Sequence, residues 1–469
     1  MKKILKYGFF GWLILSVLGA PFYWPYLRMI WVFNPIVSAP KYEAPSSEVE
    51  ARQQDVDYLS TLLQYDRAFS EAGKEAFTEK LAVINSDLAN MSAAQFYLAI
   101  AEAVALADNG HSNISNRPQY TEFNTIGARL HAFSDGVYIV SAAPDKRQTL
   151  GRRVVAVEDT AIEVLRKQLR KYRGGNETWR DLYSTFIIES PELLAAAGHA
   201  DSSDSIELTL ESESGDLERV EFKGLALGGM ENIGWRGAWQ ALVPGGAATG
   251  FSGWAHISET NGLRLPRYLT NLAEPLSYAL KNNGLYIRAL PGFAAGDQSI
   301  KEAYKAMLAD HPDNSLDYLV VDFRLHDGGD YTKSMAFAKA APKAVKADGD
   351  IYIITGPNTF SAAIVTVAML RYYAGDRGVI IGEQMGDREQ FWAERGTNFQ
   401  LPNSGYYINY ATGYHDWEKG CKGEPYCFTL NEMHEVPAGS LAPEVEILQD
   451  LASFRRGEDV VMDWIDQQR

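Results

Sequence analysis

Few cysteines and no surplus of basic residues are present, and these two shortages narrow the classes of protein to be considered. Only Cys421 and Cys427 occur among 469 residues. No Cys/His cluster has the spacing of zinc ligands and no His-Glu-x-x-His motif occurs, so a metal site has no support. Lysine and arginine number 44 against 60 acidic residues, for a formal net charge of −16. Because phosphate binding needs a concentrated basic face, this balance disfavours nucleic acid as a partner.

The two cysteines lie close together in a polar stretch that contains glycine and lysine. In an oxidising compartment, Cys421 and Cys427 would close a small disulfide loop, and a pair of free thiols is the alternative. The length allows two or three domains, each with its own core. With 46% hydrophobic and 22% charged residues, the chain is typical of globular proteins rather than disordered ones.

The N-terminus carries an apolar run over residues 7–27 that follows three lysines. About 20 apolar residues are enough to cross a bilayer as a helix. Pro21 occupies a poor position for signal cleavage and apolar residues continue beyond it, so we expect an uncleaved signal anchor within residues 1–38. Lysines before the run keep that end in the cytoplasm. The sequence therefore predicts a membrane-anchored protein whose remaining chain lies on the periplasmic or extracellular face.

Behind that segment, the patterns divide the chain into four parts. Residues 39–118 begin with a polar linker and continue with helical spacing of apolar residues, which predicts three packed helices. Residues 119–232 combine short β-type runs with a helix and predict a small α+β domain. Residues 233–262, rich in glycine and tryptophan, are expected to form a connector. In residues 263–469, strands alternate with helices, which predicts a parallel sheet covered by helices.

A candidate nucleophile lies between a strand and a helix of this last part. Ser361 follows a short turn, Gly356–Phe360, and precedes a helix rich in alanine, valine and leucine. At such a position the hydroxyl projects beyond the sheet, the positive end of the helix dipole is close, and unpaired backbone N–H groups can stabilise an oxyanion. An ordinary helix-capping serine is the alternative.

Two further segments carry groups that could assist a serine. The strand ending at Asp322 is followed by Gly328 and Gly329, and paired glycines allow the backbone to approach a ligand closely. Another segment, Asn109-Gly110-His111, stands where the N-terminal helices give way to a turn. A serine hydroxyl needs a nearby base, which near neutral pH is most often histidine, so His111 is the candidate base. A structural histidine is the alternative.

Taken together, these segments resemble the tail-specific (C-terminal processing) and tricorn-core serine peptidase family. The pattern Asp-x-Arg-x-x-x-Gly-Gly is matched at Asp322, Arg324, Gly328 and Gly329, the nucleophile motif at Thr359–Ala363, and Gly-His-Ser/Thr at Gly110–Ser112. Residues 439–447 are similar to the C-terminal Gly-x-x-x-Pro-Asp element. The resemblance covers about residues 50–469. It implies an α/β fold with a crotonase/ClpP-like catalytic core, an N-terminal helical region and an inserted, degenerate PDZ-like α+β domain.

The same resemblance implies a role for each matching residue. Ser361 would attack the scissile carbonyl, and the N–H groups of Gly329 and Ala362 would form the oxyanion hole. One branch of the family uses a lysine base, but Asp387 stands where that lysine is expected. His111 fits the histidine-dependent branch instead. Glu383 and Glu418 are candidates for the acid that orients the histidine, and solvated surface acids are the alternative for both.

The sequence thus predicts a serine peptidase that cleaves peptides or protein tails through an acyl-enzyme at Ser361. Such nucleophilic catalysis needs no metal or organic cofactor. A catalytically inactive peptide-binding or scaffold protein on the same fold is the alternative from another class. A serine esterase or amidase is a third alternative with less support, because the Gly-x-Ser-x-Gly motif is absent.

Overall fold

The computed structural model describes residues 23–226, 238–244, 253–291 and 300–469. Most of the predicted anchor, residues 7–27, lies outside these ranges. In the part of the chain that is described, no helix combines the length and apolar character needed to cross a bilayer. The prediction of a membrane-anchored protein is therefore wrong on this finding, and we do not retain the localisation that followed from it.

Helices form the first part of the described chain. Residues 23–33 are the described part of α1, and the next helices are α2 Glu48–Leu59, α3 Glu71–Asp87 and α4 Ala93–Ala105. A serine accepts a hydrogen bond from a first-turn N–H at the start of α2, α3 and α4, as N-capping residues do. The sequence predicted three packed helices within residues 39–118, and the bounds of that region stay a prediction. Helices α2, α3 and α4 bury Leu59, Phe77 and Ile84 against one another.

An antiparallel sheet follows, in the strand order β2-β8-β7-β5-β4-β3, with β6 paired to β5 and β9 paired to β4. The strands are β1 Asn113–Ile114, β2 Thr125–Ile126, β3 Ala128–Phe133, β4 Gly136–Ala142, β5 Arg153–Val157, β6 Thr160–Ala161, β7 Ser205–Glu211, β8 Leu217–Leu225 and β9 Ala255–His256. The helices around it are α5 Pro118–Thr121, α6 Ile162–Leu169, α7 Glu177–Ile188 and α8 Pro191–Ala196. Along β7, buried and half-buried residues alternate, as expected for a strand with one face on a core.

The larger sheet has the order β10-β11-β12-β13-β14-β19. Its strands are β10 Leu276–Lys281, β11 Gly284–Ala289, β12 Tyr318–Asp322, β13 Ile351–Thr355, β14 Gly378–Gly382 and β19 Val445–Glu446. Only the β10–β11 pair is antiparallel. Helices α9 Ile300–Ala309, α10 Met335–Ala344 and α11 Ala362–Ala374 connect successive parallel strands. The predicted alternation of strands and helices is therefore present, and β12 and β13 are buried along their whole length.

Short elements complete the chain. Strands β15 Gln390–Ala393, β16 Phe399–Gln400, β17 Tyr407–Asn409 and β18 Gly413–Asp416 form two small sheets, one of which includes β1. The last helices are α12 Thr429–His434, α13 Leu451–Arg456 and α14 Val460–Gln467. Cys421 and Cys427 are joined in a disulfide with a Cα–Cα distance of 5.4 Å. This bond closes the loop between β18 and α12.

Candidate active site

Three chemically important loops leave the same edge of the parallel sheet. The loop after β12 carries Gly328 and Gly329, the loop after β13 leads to Ser361, and the loop after β14 carries Glu383 and Asp387. Because β12, β13 and β14 are neighbouring parallel strands, their carboxyl ends meet at one edge. Ligands of open α/β sheets bind at this edge.

Ser361 adopts a backbone conformation that is unusual for a residue with a side chain. Its φ is 55° and its ψ is −119°, a strained region that glycine occupies more readily. Although Ser361 is the N-cap residue of α11, its hydroxyl makes no capping hydrogen bond. The structure therefore differs from the alternative of an ordinary capping serine. The hydroxyl of Ser361 is left available beside the first amide groups of the helix, which have no intrahelical acceptor.

The glycine pair after β12 approaches Ser361 closely. Gly328 and Gly329 have φ values of 131° and 127°. A Cβ added to Gly328 would lie 3.1 Å from Ser361 Cβ and 3.5 Å from its Oγ. Only glycine gives this backbone both the conformation and the space that it needs. Ala362, the first residue of α11, follows Ser361 directly in the chain, and its N–H has no acceptor within the helix.

His111 is brought to the same region although it lies 250 positions before Ser361 in the sequence. Its ring stacks on Phe360, the residue before Ser361, with ring centroids 4.5 Å apart, and on Phe391, at 5.3 Å. The His111 side chain is 17% exposed, and neither ring nitrogen has a hydrogen-bond partner among the described residues.

Hydrogen bonds hold the loop around His111. The Asn109 side chain donates to the carbonyl of Trp392 and accepts from the Trp392 N–H, at 3.0 and 3.1 Å. The Asn113 side chain donates to the Gly110 carbonyl at 2.9 Å. A Cβ on Gly110 would lie 2.7 Å from Asp387 Oδ2 and 2.8 Å from Phe360. Glycine at 110 is thus required for the His111 loop to pack against Asp387.

Asp387 is the acidic residue that faces His111. The distance from its Oδ2 to His111 Nδ1 is 3.6 Å, which is within reach of an ion pair but longer than a hydrogen bond. Asp387 is 2% exposed, its Oδ1 accepts a hydrogen bond from the Arg388 N–H at 2.9 Å, and its Oδ2 has no hydrogen-bond partner in the described chain. With Nδ1 directed at Asp387, the Nε2 atom of His111 remains for a second partner.

Neither of the two acids predicted to orient His111 forms an ion pair with it in the described ranges. Glu418 Oε2 accepts a hydrogen bond from Gln390 Nε2 at 2.6 Å. Glu383 lies in the wall of a cavity. Its pKa is raised to about 7, mainly by burial; the positive charge of Arg324 lowers this pKa and the negative charge of Glu446 raises it. The sequence drew attention to Asp387 only as a departure from a lysine-dependent site.

The Asp-x-Arg part of the strand-end motif is a buried ionic network. Arg324 Nη2 donates to Asp322 Oδ2 at 2.6 Å, and its two Nη atoms donate to Asp459 at 2.9 Å. The hydroxyl of Tyr286 also donates to Asp322 at 2.9 Å, and the Arg324 guanidinium stacks 4.0 Å from the ring centroid of Tyr268. These contacts fix the β12 end from which the glycine pair departs.

Helix α7 of the antiparallel domain contributes an aromatic residue that the sequence did not suggest. The Trp179 ring stacks on Phe360 with centroids 4.0 Å apart and an angle of 4° between planes. Asn176, at the start of α7, donates a hydrogen bond to the Met385 carbonyl at 2.8 Å. Helix α7 therefore contacts both the residue before Ser361 and the loop that carries Asp387. A tryptophan three residues after a capping asparagine gives no sequence signal that its partner is so distant.

A cavity of about 320 Å³ lies between the antiparallel domain and the ends of the parallel strands. From the antiparallel domain, residues 129–134 and side chains of α7 line the cavity. Tyr268, Leu325, the turn Gly356–Asn358 and Glu383 also line it. All three loops that leave the sheet edge therefore contribute to the cavity as well as to the region around Ser361.

Comparison with known proteins places this arrangement in a recognised fold. Neither a protein-family model nor a curated protein matches the sequence. Among solved structures, the chain is similar to mature CPAF, with a TM-score of 0.54, 12% identity, and coverage of 90% of this chain and 96% of that one. Mature CPAF complexed with lactacystin gives a TM-score of 0.54 and 13% identity over 90% and 97% of the two chains. The photosystem II D1 C-terminal processing protease is a weaker match, with a TM-score of 0.36 and 12% identity over 86% and 93%.

The chain therefore has a mixed α/β fold of the CPAF type, and the resemblance that the sequence showed is confirmed at the level of the fold. At 12% identity the similarity carries no residue roles to this chain. The chemistry has to be argued from the geometry around Ser361.

Proposed function

We propose that this protein is a serine peptidase, with Ser361 as the nucleophile and His111 as the general base. The observation that carries the proposal is the conformation of Ser361, which is strained, does not cap its helix and faces the close approach of Gly328. Strained residues persist where the surrounding structure holds them in place, and they cluster at active sites. His111 and Asp387, next to Phe360, complete a nucleophile–base–acid series.

Peptide hydrolysis would proceed in two steps. Ser361 Oγ adds to the carbonyl carbon of the substrate while His111 Nε2 takes its proton. The N–H groups of Gly329 and Ala362 stabilise the oxyanion that forms. The C–N bond then breaks, the amine leaves with the proton from His111, and an acyl-enzyme remains. Water, deprotonated by His111, attacks the ester and releases the acid and Ser361.

Asp387 replaces Glu383 and Glu418 in our proposal as the acid that orients His111. Its carboxylate faces Nδ1, so it favours the tautomer in which Nδ1 carries the hydrogen and Nε2 accepts one. The distance of 3.6 Å shortens to a hydrogen bond on substrate binding in this proposal, since catalytic hydrogen bonds are often long without substrate. Asp387 also stabilises the imidazolium that forms in the first step.

The finer description of the fold remains part of the proposal. We take the antiparallel sheet with α6 as a degenerate PDZ-like domain and the parallel sheet as a crotonase/ClpP-like core. Strand order and the position of α6 beside β5 support the first assignment. The alternation of β11 to β14 with α9 to α11 supports the second. Peptides or protein tails are the expected substrates, and the domain bounds predicted from the sequence stay predictions.

A fluorophosphonate probe tests this function, because it phosphonylates an activated serine with loss of fluoride. We expect the full chain to be labelled at Ser361, as located by mass spectrometry, and the Ser361→Ala and His111→Ala variants to lose labelling. Ser92→Ala is the matched control, since Ser92 is also an N-cap serine but its hydroxyl accepts a hydrogen bond from the Gln95 N–H. That variant should be labelled like the wild type.

Peptide turnover, followed by mass spectrometry of the products, completes the test. A folded wild type that is neither labelled nor able to cleave peptides contradicts the proposal and favours a peptide-binding protein. Labelling that survives in His111→Ala keeps the nucleophile but removes His111 from the role of base. Circular dichroism of each variant shows whether its fold is intact.

A further inference from the structure

The wall of the 320 Å³ cavity contains one carboxylate without a cation of its own. No side chain or backbone N–H among the described residues donates a hydrogen bond to the Glu383 carboxylate. Two charged groups interact electrostatically with this carboxylate: Arg324 lowers its pKa and Glu446 raises it. Arg324 is already engaged with both Asp322 and Asp459, so three carboxylates and one guanidinium meet at this end of the cavity. The local charge is negative before Glu446 is considered.

The other charged groups around the cavity are paired. Arg129 binds Glu189 at 2.5 Å, Arg166 binds Glu163 at 3.3 Å, and Asp181 accepts two hydrogen bonds from Arg170. His131 is neutral, because burial lowers its pKa to about 4, an effect that Arg166 reinforces. Electrostatic attraction for a ligand therefore concentrates at the Glu383 end.

The rest of the lining suits a long side chain with a polar tip. Apolar and aromatic residues form most of it, among them Phe133, Phe186, Trp239, Leu242 and Tyr268. A flexible alkyl stem packs well along such a surface while its charged end reaches a carboxylate. A cavity of this size lies at the lower end of the range for ligand pockets, about 300–1,000 Å³. It is therefore suited to part of a peptide rather than to a large cofactor.

We propose that this cavity is a specificity pocket that binds a lysine or arginine side chain of the peptide substrate, with Glu383 as the carboxylate that accepts its charge. The turn Gly356–Asn358, which leads to Ser361, forms part of the wall, so a peptide that fills the cavity continues towards the nucleophile. This inference rests on the proposed function for the presence of a peptide at Ser361. It adds the chemical class of the residue that the peptide carries.

Binding to a variant that cannot turn over substrate separates the two proposals. The probes are fluorescein-labelled hexapeptides of alanine with lysine, arginine or uncharged norleucine at the fourth position. Fluorescence anisotropy gives their affinities for Ser361→Ala protein at pH 8. We expect the lysine and arginine peptides to bind at least tenfold more tightly than the norleucine peptide. Adding Glu383→Gln should bring the ratio close to one, with little change in norleucine binding.

Glu446→Gln is the matched control, because Glu446 acts on Glu383 but does not line the cavity. It should keep the preference for the cationic peptides. Equal binding of lysine and norleucine peptides, binding of neither, or a preference unchanged by Glu383→Gln would overturn the inference. A preference that depends on Glu383 in a protein that never cleaves peptides would support the pocket and refute the peptidase. If wild type cleaves peptides at a rate that does not depend on lysine, on arginine or on Glu383, the peptidase is supported and the pocket is refuted.

Discussion

The ends of β12 and β14 both carry acidic side chains, of which Asp322 and Asp387 are buried and Glu383 is half-buried, and these side chains differ in how fully they are hydrogen-bonded. After β12, Asp322 accepts hydrogen bonds from Arg324 and Tyr286, and Arg324 also binds Asp459. After β14, Asp387 Oδ2 has no hydrogen-bond partner and Glu383 has no cation of its own within the described residues. Buried polar groups are normally satisfied, so exceptions need an explanation. We infer that the β12 end serves stability and the β14 end serves chemistry.

The largest effect that tests this contrast is expected from Asp387→Asn. The amide keeps the size of the side chain but removes the charge that orients His111, so kcat should fall by about 10²- to 10⁴-fold. The midpoint of thermal unfolding should not fall, because the lost carboxylate oxygen has no hydrogen bond to lose. A pH–rate profile distinguishes orientation from a general loss of structure. Unchanged kcat in Asp387→Asn would contradict the role of Asp387.

The opposite result is expected at the β12 end. Arg324→Met leaves Asp322 and Asp459 without their cation, and breaking a buried ion pair in this way destabilises by about 3–5 kcal/mol. Urea denaturation measures the difference in the free energy of unfolding. Arg219→Met is the matched control, since Arg219 also bridges two acids, Glu207 and Asp159, but is 59% exposed. That variant should change stability by less than about 1 kcal/mol.

A smaller effect of the opposite sign is expected from Glu383→Gln. Burial raises the folded-state pKa of Glu383 to about 7 from an ordinary value of 4.5. The folded protein therefore binds this proton more tightly than the unfolded chain, and wild-type stability falls as the pH rises from 4.5 to 7. Glutamine has no charge to bury, so the variant should be more stable than wild type by about 3 kcal/mol at pH 8 and equally stable at pH 4.

Urea denaturation at the two pH values measures this difference. The exposed pair between Glu213 and Arg455 offers a control, because Glu213→Gln should show no comparable dependence on pH. A Glu383→Gln protein that is less stable than wild type at pH 8 would show that the Glu383 carboxylate has a stabilising partner. The contrast between the two strand ends would then be lost.

Local patterns in the sequence were enough to predict the helices before residue 107, the alternation of strands and helices behind residue 263, and the turn that leads to Ser361. Each depends on the spacing of nearby apolar residues and on glycine or proline at a turn. Helix α7 was not predicted, and the contact of its Trp179 with Phe360 joins positions about 180 residues apart. No periodic pattern encodes such a contact.

Asp387 illustrates the same limit at the site. The sequence marked it as a substitution for a lysine, and the acids Glu383 and Glu418 were suggested instead. Asp387 reaches His111 only because Gly110 leaves room for its carboxylate and because the β14 loop folds over the His111 loop. The approach of two loops that are 276 positions apart depends on the tertiary structure, so residue types alone did not reveal it.

The backbone of Ser361 has a consequence for the evolution and engineering of the chain. With φ at 55° and ψ at −119°, position 361 is one where glycine is the least strained residue. Ser361→Gly should therefore be more stable than Ser361→Ala by about 1 kcal/mol in urea denaturation, although both lack the hydroxyl. Equal stabilities would show that the turn is not strained. A serine at position 361 therefore costs stability that glycine would not, and the proposed role of Ser361 as nucleophile accounts for that cost.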